Sequence, residues 1–260
     1  MTSLSYGPLP EQVADLRLPA ATGRPAPLVV VVHGGFWRDE WDRAHAGPQS
    51  DGLAAAGYVV ATVEYRRVGG SGGWPATLDD VALLGDTLPG LVADAVGDLV
   101  DRAQTVLVGH SAGGHLVAWS AARHRLPVDS PWHRETALPV GVVSLAGVLD
   151  LGLSERLGLG GHAARALLGG SPDEQPDRYA AADPAGLLPT GVRTVLVHGT
   201  LDEDVPVEVS RSFRAVAAAA GDDVTLHELA GVDHMSLVDP TSPAWPAVLA
   251  AVAAVAEALP

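Results

Sequence analysis

Short runs of consecutive apolar, mostly β-branched residues recur along the chain, spaced by Ala- and Leu-rich stretches of helical length. Residues 28–32, 59–63, 106–108, 140–145 and 194–197 are apolar almost throughout rather than alternating, the pattern of strands covered on both faces by helices. Residues 42–56, 77–92, 112–124, 207–220 and 244–258 read as helices, and 225–228 can supply a last strand near the sheet edge. Alternation of this kind predicts an α/β architecture, a mostly parallel, doubly wound sheet in a single domain spanning residues 1–260.

The stretch 149–189 breaks the alternation. It holds Gly160-Gly161, Gly169-Gly170 and several prolines, with no convincing strand. Ser171, followed by Pro172 and Glu174, has the spacing of a capping box at a helix start. The segment reads as a small cap insertion over one end of the sheet; an ordinary long crossover is the alternative.

Composition narrows the class. At 47% hydrophobic and 18% charged, the chain has ample material for a buried core. Its 31 acids against 16 bases give a net charge of −15, which argues against nucleic acid or an anionic membrane as partner. With no cysteine, disulfides, thiolate catalysis and Cys-based zinc sites are excluded. The opening MTSLSYGPLPEQ lacks a basic start and apolar run, so no secretory leader is expected, and the apolar stretches are too short to span a membrane. A cytoplasmic protein is the expectation; oligomeric state is not legible.

The strongest chemical signal is Gly109-His110-Ser111-Ala112-Gly113, a G-x-S-x-G between a predicted strand and a predicted helix. A nucleophile on so tight a turn needs small neighbours two residues to either side, and the helix behind it directs its positive dipole end at the site. The second signal is His33-Gly34-Gly35-Phe36-Trp37, directly after the strand at 28–32. Acyl transfer builds negative charge on an oxygen, and fixed N–H groups stabilise it without reorganising. The expected oxyanion-hole donors are the amides of Gly35, Phe36 and Ala112.

A serine hydroxyl needs a base. Ten histidines compete. His33 and His198 sit at strand ends before glycine, where a structural hydrogen bond is expected; His110 should point away from Ser111 into the turn; His115 should pack or cap. His234, in the loop after the last predicted strand, satisfies the chain order nucleophile, acid, histidine. The acid should follow the strand at 194–197, where Asp202, Glu203 and Asp204 compete. Asp204 stands near a helix start, which gives it a structural reason to be there and leaves Asp202 without one.

These motifs resemble α/β-hydrolase carboxylesterases, in the branch that contains kynurenine formamidase and related bacterial esterases. The resemblance rests on Gly-His-Ser-Ala-Gly-Gly-His-Leu at 109–116, His-Gly-Gly-Phe-Trp at 33–37 and His-Gly-Thr-Leu-Asp at 198–202, with Val63-Glu64-Tyr65-Arg66 and Trp74-Pro75-Ala76-Thr77 beside them. It covers about residues 28 to 240 and implies the α/β-hydrolase fold, with Ser111 as nucleophile, Asp202 as acid, His234 as base and the oxyanion hole named above. Phe36 stands where the third glycine of hormone-sensitive-lipase-like esterases, or a tyrosine common in formamidases, would be.

The activity implied is hydrolysis of a small carboxylic ester through an acyl-enzyme, with a small-molecule ester or amide as substrate. Aryl-formamide hydrolysis is the alternative; a serine peptidase and a non-catalytic binding module come behind it. Trp37, Trp74 and Leu201 lie beside the catalytic loops and are candidate walls of the substrate pocket. Neither a metal site nor a cofactor is expected: Gly69-Gly70-Ser71-Gly72-Gly73 lacks the lysine of a phosphate loop and reads as a flexible rim loop.

Overall fold

The computed structural model describes residues 2–20 and 23–259. Among these residues eight strands form one sheet in the order β1-β2-β4-β3-β5-β6-β7-β8. The parallel part comprises β3 (Ala26–Val32), β4 (Val59–Val63), β5 (Val100–His110), β6 (Val140–Leu145), β7 (Thr194–Gly199) and β8 (Val224–Leu229). Each predicted strand lies within one of these. The hairpin of β1 (Thr2–Ser5) and β2 (Val13–Arg17) pairs antiparallel to itself and to β4 and escaped the sequence reading. Only Ala14 and Leu16 of β2 face inward, so its apolar signal is two residues wide.

The helices are α1 (Gly47–Ala55), α2 (Ala76–Val96), α3 (Ala112–Ala122), α4 (Leu151–Arg156), α5 (Ala163–Leu168), α6 (Pro176–Ala182), α7 (Glu208–Ala219) and α8 (Trp245–Ala256). The expected helix over 42–56 is two pieces. A 3₁₀ turn at Arg43–Ala46 is capped by Asp42, whose carboxylate accepts the Ala44 amide, and α1 begins afresh where Pro48 occupies the first turn and has no N–H to lose.

Strand alternation divides the core. Leu28, Val30 and Val32 of β3, with Leu107 of β5, face α2, α3 and the 149–189 segment. Val29 and Val31, with Val106 and Val108, face α1 and α8. A smaller cluster of Leu149, Leu196 and Phe213 seats α7. The sheet is therefore covered on both faces, which is why the cores of its inner strands are apolar almost throughout.

The 149–189 stretch carries α4, α5 and α6 and no strand. The Ser171 box closes as expected, Ser171 N–H donating to Glu174 Oε2 at 2.8 Å and Glu174 N–H to Ser171 Oγ at 3.3 Å. It caps only a single turn, however, because Pro176 starts α6 separately. No helix among the described residues is long and apolar enough to cross a membrane. All six parallel strands run the same way, so the loops after β3, β5, β7 and β8 leave one edge of the sheet, where open α/β sheets build their sites.

Candidate active site

Ser111 joins β5 to α3 with φ 55° and ψ −119°, a conformation that L-residues avoid. The surrounding glycines show why the turn can be this tight. A Cβ on Gly109 would lie 2.2 Å from the Gly113 carbonyl oxygen, and one on Gly113 would lie 2.0 Å from that of Val32. The turn is held by Ser111 N–H donating to the Leu145 carbonyl at 2.8 Å. The Ser111 side chain makes no capping bond to α3, which leaves the hydroxyl for the pocket it borders.

Asp202 and His234 meet beside it. His234 Nδ1–H donates to Asp202 Oδ2 at 2.6 Å. Asp202 Oδ1 accepts the amides of Val205 at 2.8 Å and Asp204 at 3.0 Å, and His198 Nε2 lies 3.3 Å from Oδ2. Burial alone would raise this carboxyl; the bonds from His198 and His234, the His234 charge and the Val205 amide outweigh it and hold Asp202 well below the usual carboxylate range. His198 is oriented in turn, its Nε2 also reaching the Val205 carbonyl at 2.8 Å and its Nδ1 the Ser210 hydroxyl at 2.7 Å.

Asp204 is placed differently from expectation. It does not cap α7, whose N-cap is Val207 with no side-chain bond; it is exposed and borders the pocket mouth. The carboxylate that organises this turn is Asp202.

Gly35 and Phe36 lie on the loop after β3, and Ala112 opens α3. Gly35, Phe36 and Trp37 all have positive φ, at 103°, 49° and 58°. A Cβ on Gly35 would meet the Trp41 side chain at 2.5 Å, so glycine is needed for that indole to lie against the loop. Behind it, His33 sits between the Gly34 carbonyl and Glu64, Oε1 of which is 2.9 Å from Nε2; burial pushes this imidazole down to about 4. Glu64 also accepts the amides of Arg43 and Tyr65, each at 3.0 Å, and pairs with Arg67, tying the loop to the end of β4.

A pocket of 140 Å³ opens over Ser111. Phe36, Trp41 and Met235 give it apolar walls, and His45, His110, Asp204 and His234 its polar ones. A crevice of 670 Å³ between β2 and α2 is larger, but its walls of Leu16, Ala54 and Val96 around Arg17 and Asp51 carry none of this chemistry.

The three expected wall residues lie elsewhere. Trp37 is fully buried, its ring edge-on to His115 at 5.2 Å. Trp74 packs against Trp132 at 5.0 Å with Arg178 over its ring, and Leu201 is 61% exposed outside the pocket. His110, expected to point away, lines the pocket instead. Its Nε2–H donates to the His234 carbonyl at 3.1 Å and its ring lies 4.4 Å from that of His234. Burial, then the adjacent His234, holds it well below histidine's ordinary range. Strand alternation carried the signal, since His110 shares a face with Val106 and Val108, towards α8 and the loop before it. Trp41, His45 and Met235 had none, because contact alone brings them in. Among the described residues no group of three acidic or histidine side chains could hold a metal.

Comparison with known proteins matches residues 14–216 to the family described as BD-FAE. Esterase LipC of Mycobacterium tuberculosis is 28% identical over 237 residues, covering 88% of this chain and 58% of its own length. The probable isoprenylcysteine alpha-carbonyl methylesterase ICME of Oryza sativa subsp. japonica is 27% identical over 250 residues, covering 90% and 58%. The chain thus spans 58% of the length of each of these two relatives. Kynurenine formamidase of Danio rerio is 22% identical over 242 residues, covering 92% and 76%. A truncated carbohydrate esterase from gut microbiota superposes with a TM-score of 0.82 at 19% identity, covering 99% of this chain and 97% of that one. Esterase B from Lactobacillus rhamnosis gives 0.81 at 19% identity, covering 99% and 85%. Together with the strand order, these superpositions identify the α/β-hydrolase fold.

Proposed function

The chain belongs to the BD-FAE family, and from that premise we propose that it is a serine hydrolase of small carboxylic esters working through an acyl-enzyme. The observation that carries the reading is the Asp202–His234 bond of 2.6 Å beside a serine on a strained turn, with Ser111 and His234 both bordering one pocket. The esterases among its relatives and structural neighbours support it.

In this reading Ser111 Oγ attacks the ester carbonyl carbon as its proton passes to His234 Nε2. Asp202 keeps the other ring proton on Nδ1 and stabilises the imidazolium that forms. The carbonyl oxygen, now an anion, is met by the amides of Gly35, Phe36 and Ala112. Collapse breaks the bond to the alcohol, which leaves with the proton from His234. Water then repeats the sequence on the acyl-serine, releasing the acid and restoring the hydroxyl.

Pocket size bears on the acyl group. A volume of 140 Å³ falls below the roughly 300–1,000 Å³ of ordinary small-molecule sites, which favours acetyl to butyryl over decanoyl chains. Aryl-formamide hydrolysis is the second reading, favoured by the kynurenine formamidases among the relatives and by formyl being the smallest acyl group.

The test is a panel of p-nitrophenyl esters from acetate to decanoate with N-formylkynurenine alongside, run on wild type and Ser111→Ala. Short esters should be preferred, and the variant should lose about three or more orders of magnitude in kcat. A folded Ser111→Ala retaining about a tenth of wild-type activity removes the serine mechanism. N-formylkynurenine turned over faster than every ester promotes the formamidase reading.

A further inference from the structure

The 149–189 segment touches the pocket lining through Gly160. A Cβ placed there would lie 2.7 Å from Cγ and Cδ1 of Phe36 and 2.9 Å from Cδ2, where ordinary contact begins at 3.4 Å. Phe36 is itself a wall of the 140 Å³ pocket and has φ 49°. The contact is also pinned. The Arg38 guanidinium donates to the Gly160 carbonyl, and the Arg38 amide donates to the Gly35 carbonyl at 2.9 Å, so one residue ties the segment to the oxyanion loop.

The local backbone is shaped to bring that glycine in. Gly158, Gly160, Gly161 and His162 all have positive φ, between 55° and 65°. The turn is anchored from behind by Glu155, which is buried and binds His162 Nδ1 at 3.0 Å and Arg165 Nε at 2.9 Å. Gly161 has a similar positive φ, 65° against 55°, but nothing nearer to its missing Cβ than Arg38 Nη2 at 3.8 Å.

Resting on the ester-hydrolase reading above, we propose that Gly160 is a specificity-determining residue. The space left by its missing side chain is the recess that holds the Phe36 ring back from the acyl end of the pocket. A methyl group there moves the ring by the shortfall in contact distance. The pinned segment resists, so the ring moves towards Ser111 and takes volume from a pocket that has little. Longer acyl groups then lose more than acetyl. Phe36 keeps its amide, so the effect falls on acyl length rather than on the oxyanion.

The experiment compares wild type, Gly160→Ala, Gly161→Ala and Gly160→Ala/Phe36→Leu, reading kcat/KM for p-nitrophenyl butyrate relative to acetate. Gly160→Ala should lower this ratio by about tenfold, the scale of a misfitted methylene or two, mostly through KM. Gly161→Ala, with a similar positive φ and no collision, should leave the ratio unchanged, and the double variant should restore it. An unchanged ratio in Gly160→Ala, or an equal fall in Gly161→Ala, overturns the assignment. Should Gly160→Ala fail to fold, Phe36→Leu alone carries the test: it must raise hexanoate relative to butyrate, and an unchanged ratio overturns the proposal. Wild type with no Ser111-dependent turnover of any ester instead refutes the hydrolase reading itself, which the ratios do not probe.

Discussion

Replacing Asp202 by asparagine exchanges one carboxylate oxygen for an NH₂ group, and the structure says which way the new side chain must sit. Oδ1 accepts two backbone amides, those of Val205 at 2.8 Å and Asp204 at 3.0 Å, and a main-chain N–H cannot become an acceptor. The oxygen of the substituted amide is therefore confined to the Oδ1 position, and its NH₂ takes the place of Oδ2, 2.6 Å from His234 Nδ1. Two donors cannot face each other. His234 must give up the Nδ1 proton and carry it on Nε2, where it blocks acceptance of the serine proton. The expected loss is on the order of 10⁴ in kcat, about 5.4 kcal/mol of barrier, the cost of the wrong tautomer in a serine triad. The Asp204 side chain makes none of these bonds, so Asp204→Asn should cost far less in kcat than Asp202→Asn. Steady-state turnover of p-nitrophenyl acetate by both variants, with far-UV circular dichroism to show that they are folded, decides the matter. A folded Asp202→Asn within about tenfold of wild type, or an Asp204→Asn that loses as much, refutes the reasoning.

Gly113→Ala should destabilise the protein by at least about 3 kcal/mol, because its Cβ would lie 2.0 Å from the Val32 carbonyl oxygen, and sheet backbone cannot withdraw as a side chain can; urea denaturation with an unshifted midpoint would contradict the close approach. Buried His115, whose Nε2 bonds the Ala182 carbonyl at 2.9 Å, is pushed down to about 4 by burial. Between the ordinary histidine value and 4 the unfolded chain binds a proton that the folded one does not, so this stability is present above the window and is lost as pH falls through it. His115→Gln should therefore flatten the acid loss by about 1.4 kcal/mol per pH unit, read from urea melts at pH 5 to 7; an unchanged slope rules the group out. Asp183 has the opposite sign: burial, then neighbouring Asp150, raises its carboxyl to about 7, and its contribution is present at low pH and lost as pH rises through 7. Asp183→Asn should accordingly make the acid loss steeper, and a shallower one in the same melts would count against it.

Much of this was legible in the chain because local chemistry and global fold agree at those positions. A strand buried on both faces is apolar almost throughout, so the five inner strands stand out at 28–32, 59–63, 106–108, 140–145 and 194–197. Gly109, Ser111 and Gly113 are legible for a related reason: the turn admits no Cβ at either flank, so the residue types are dictated within five positions. Where a feature depends on half a residue's surroundings the signal thins. The β1–β2 hairpin shows one inward face of two residues, and the Ser171 box makes its bonds without a helix to cap.

The strands, the order of the loops between them and the tight turn at Ser111 are each specified by neighbours along the chain, and so could be read from it. Which residues meet across loops was left to tertiary packing. Asp202 and Asp204 are two positions apart and chemically identical, and only the path from β7 to α7 turns one inward onto His234 and leaves the other at the pocket mouth. Trp37 looks like a wall from its position beside the glycines, but it packs into the core against His115, while Trp41 and Met235, from separate loops, take its place. A pocket wall is set by the directions of side chains from segments far apart in sequence, and those directions follow from packing rather than from any local pattern.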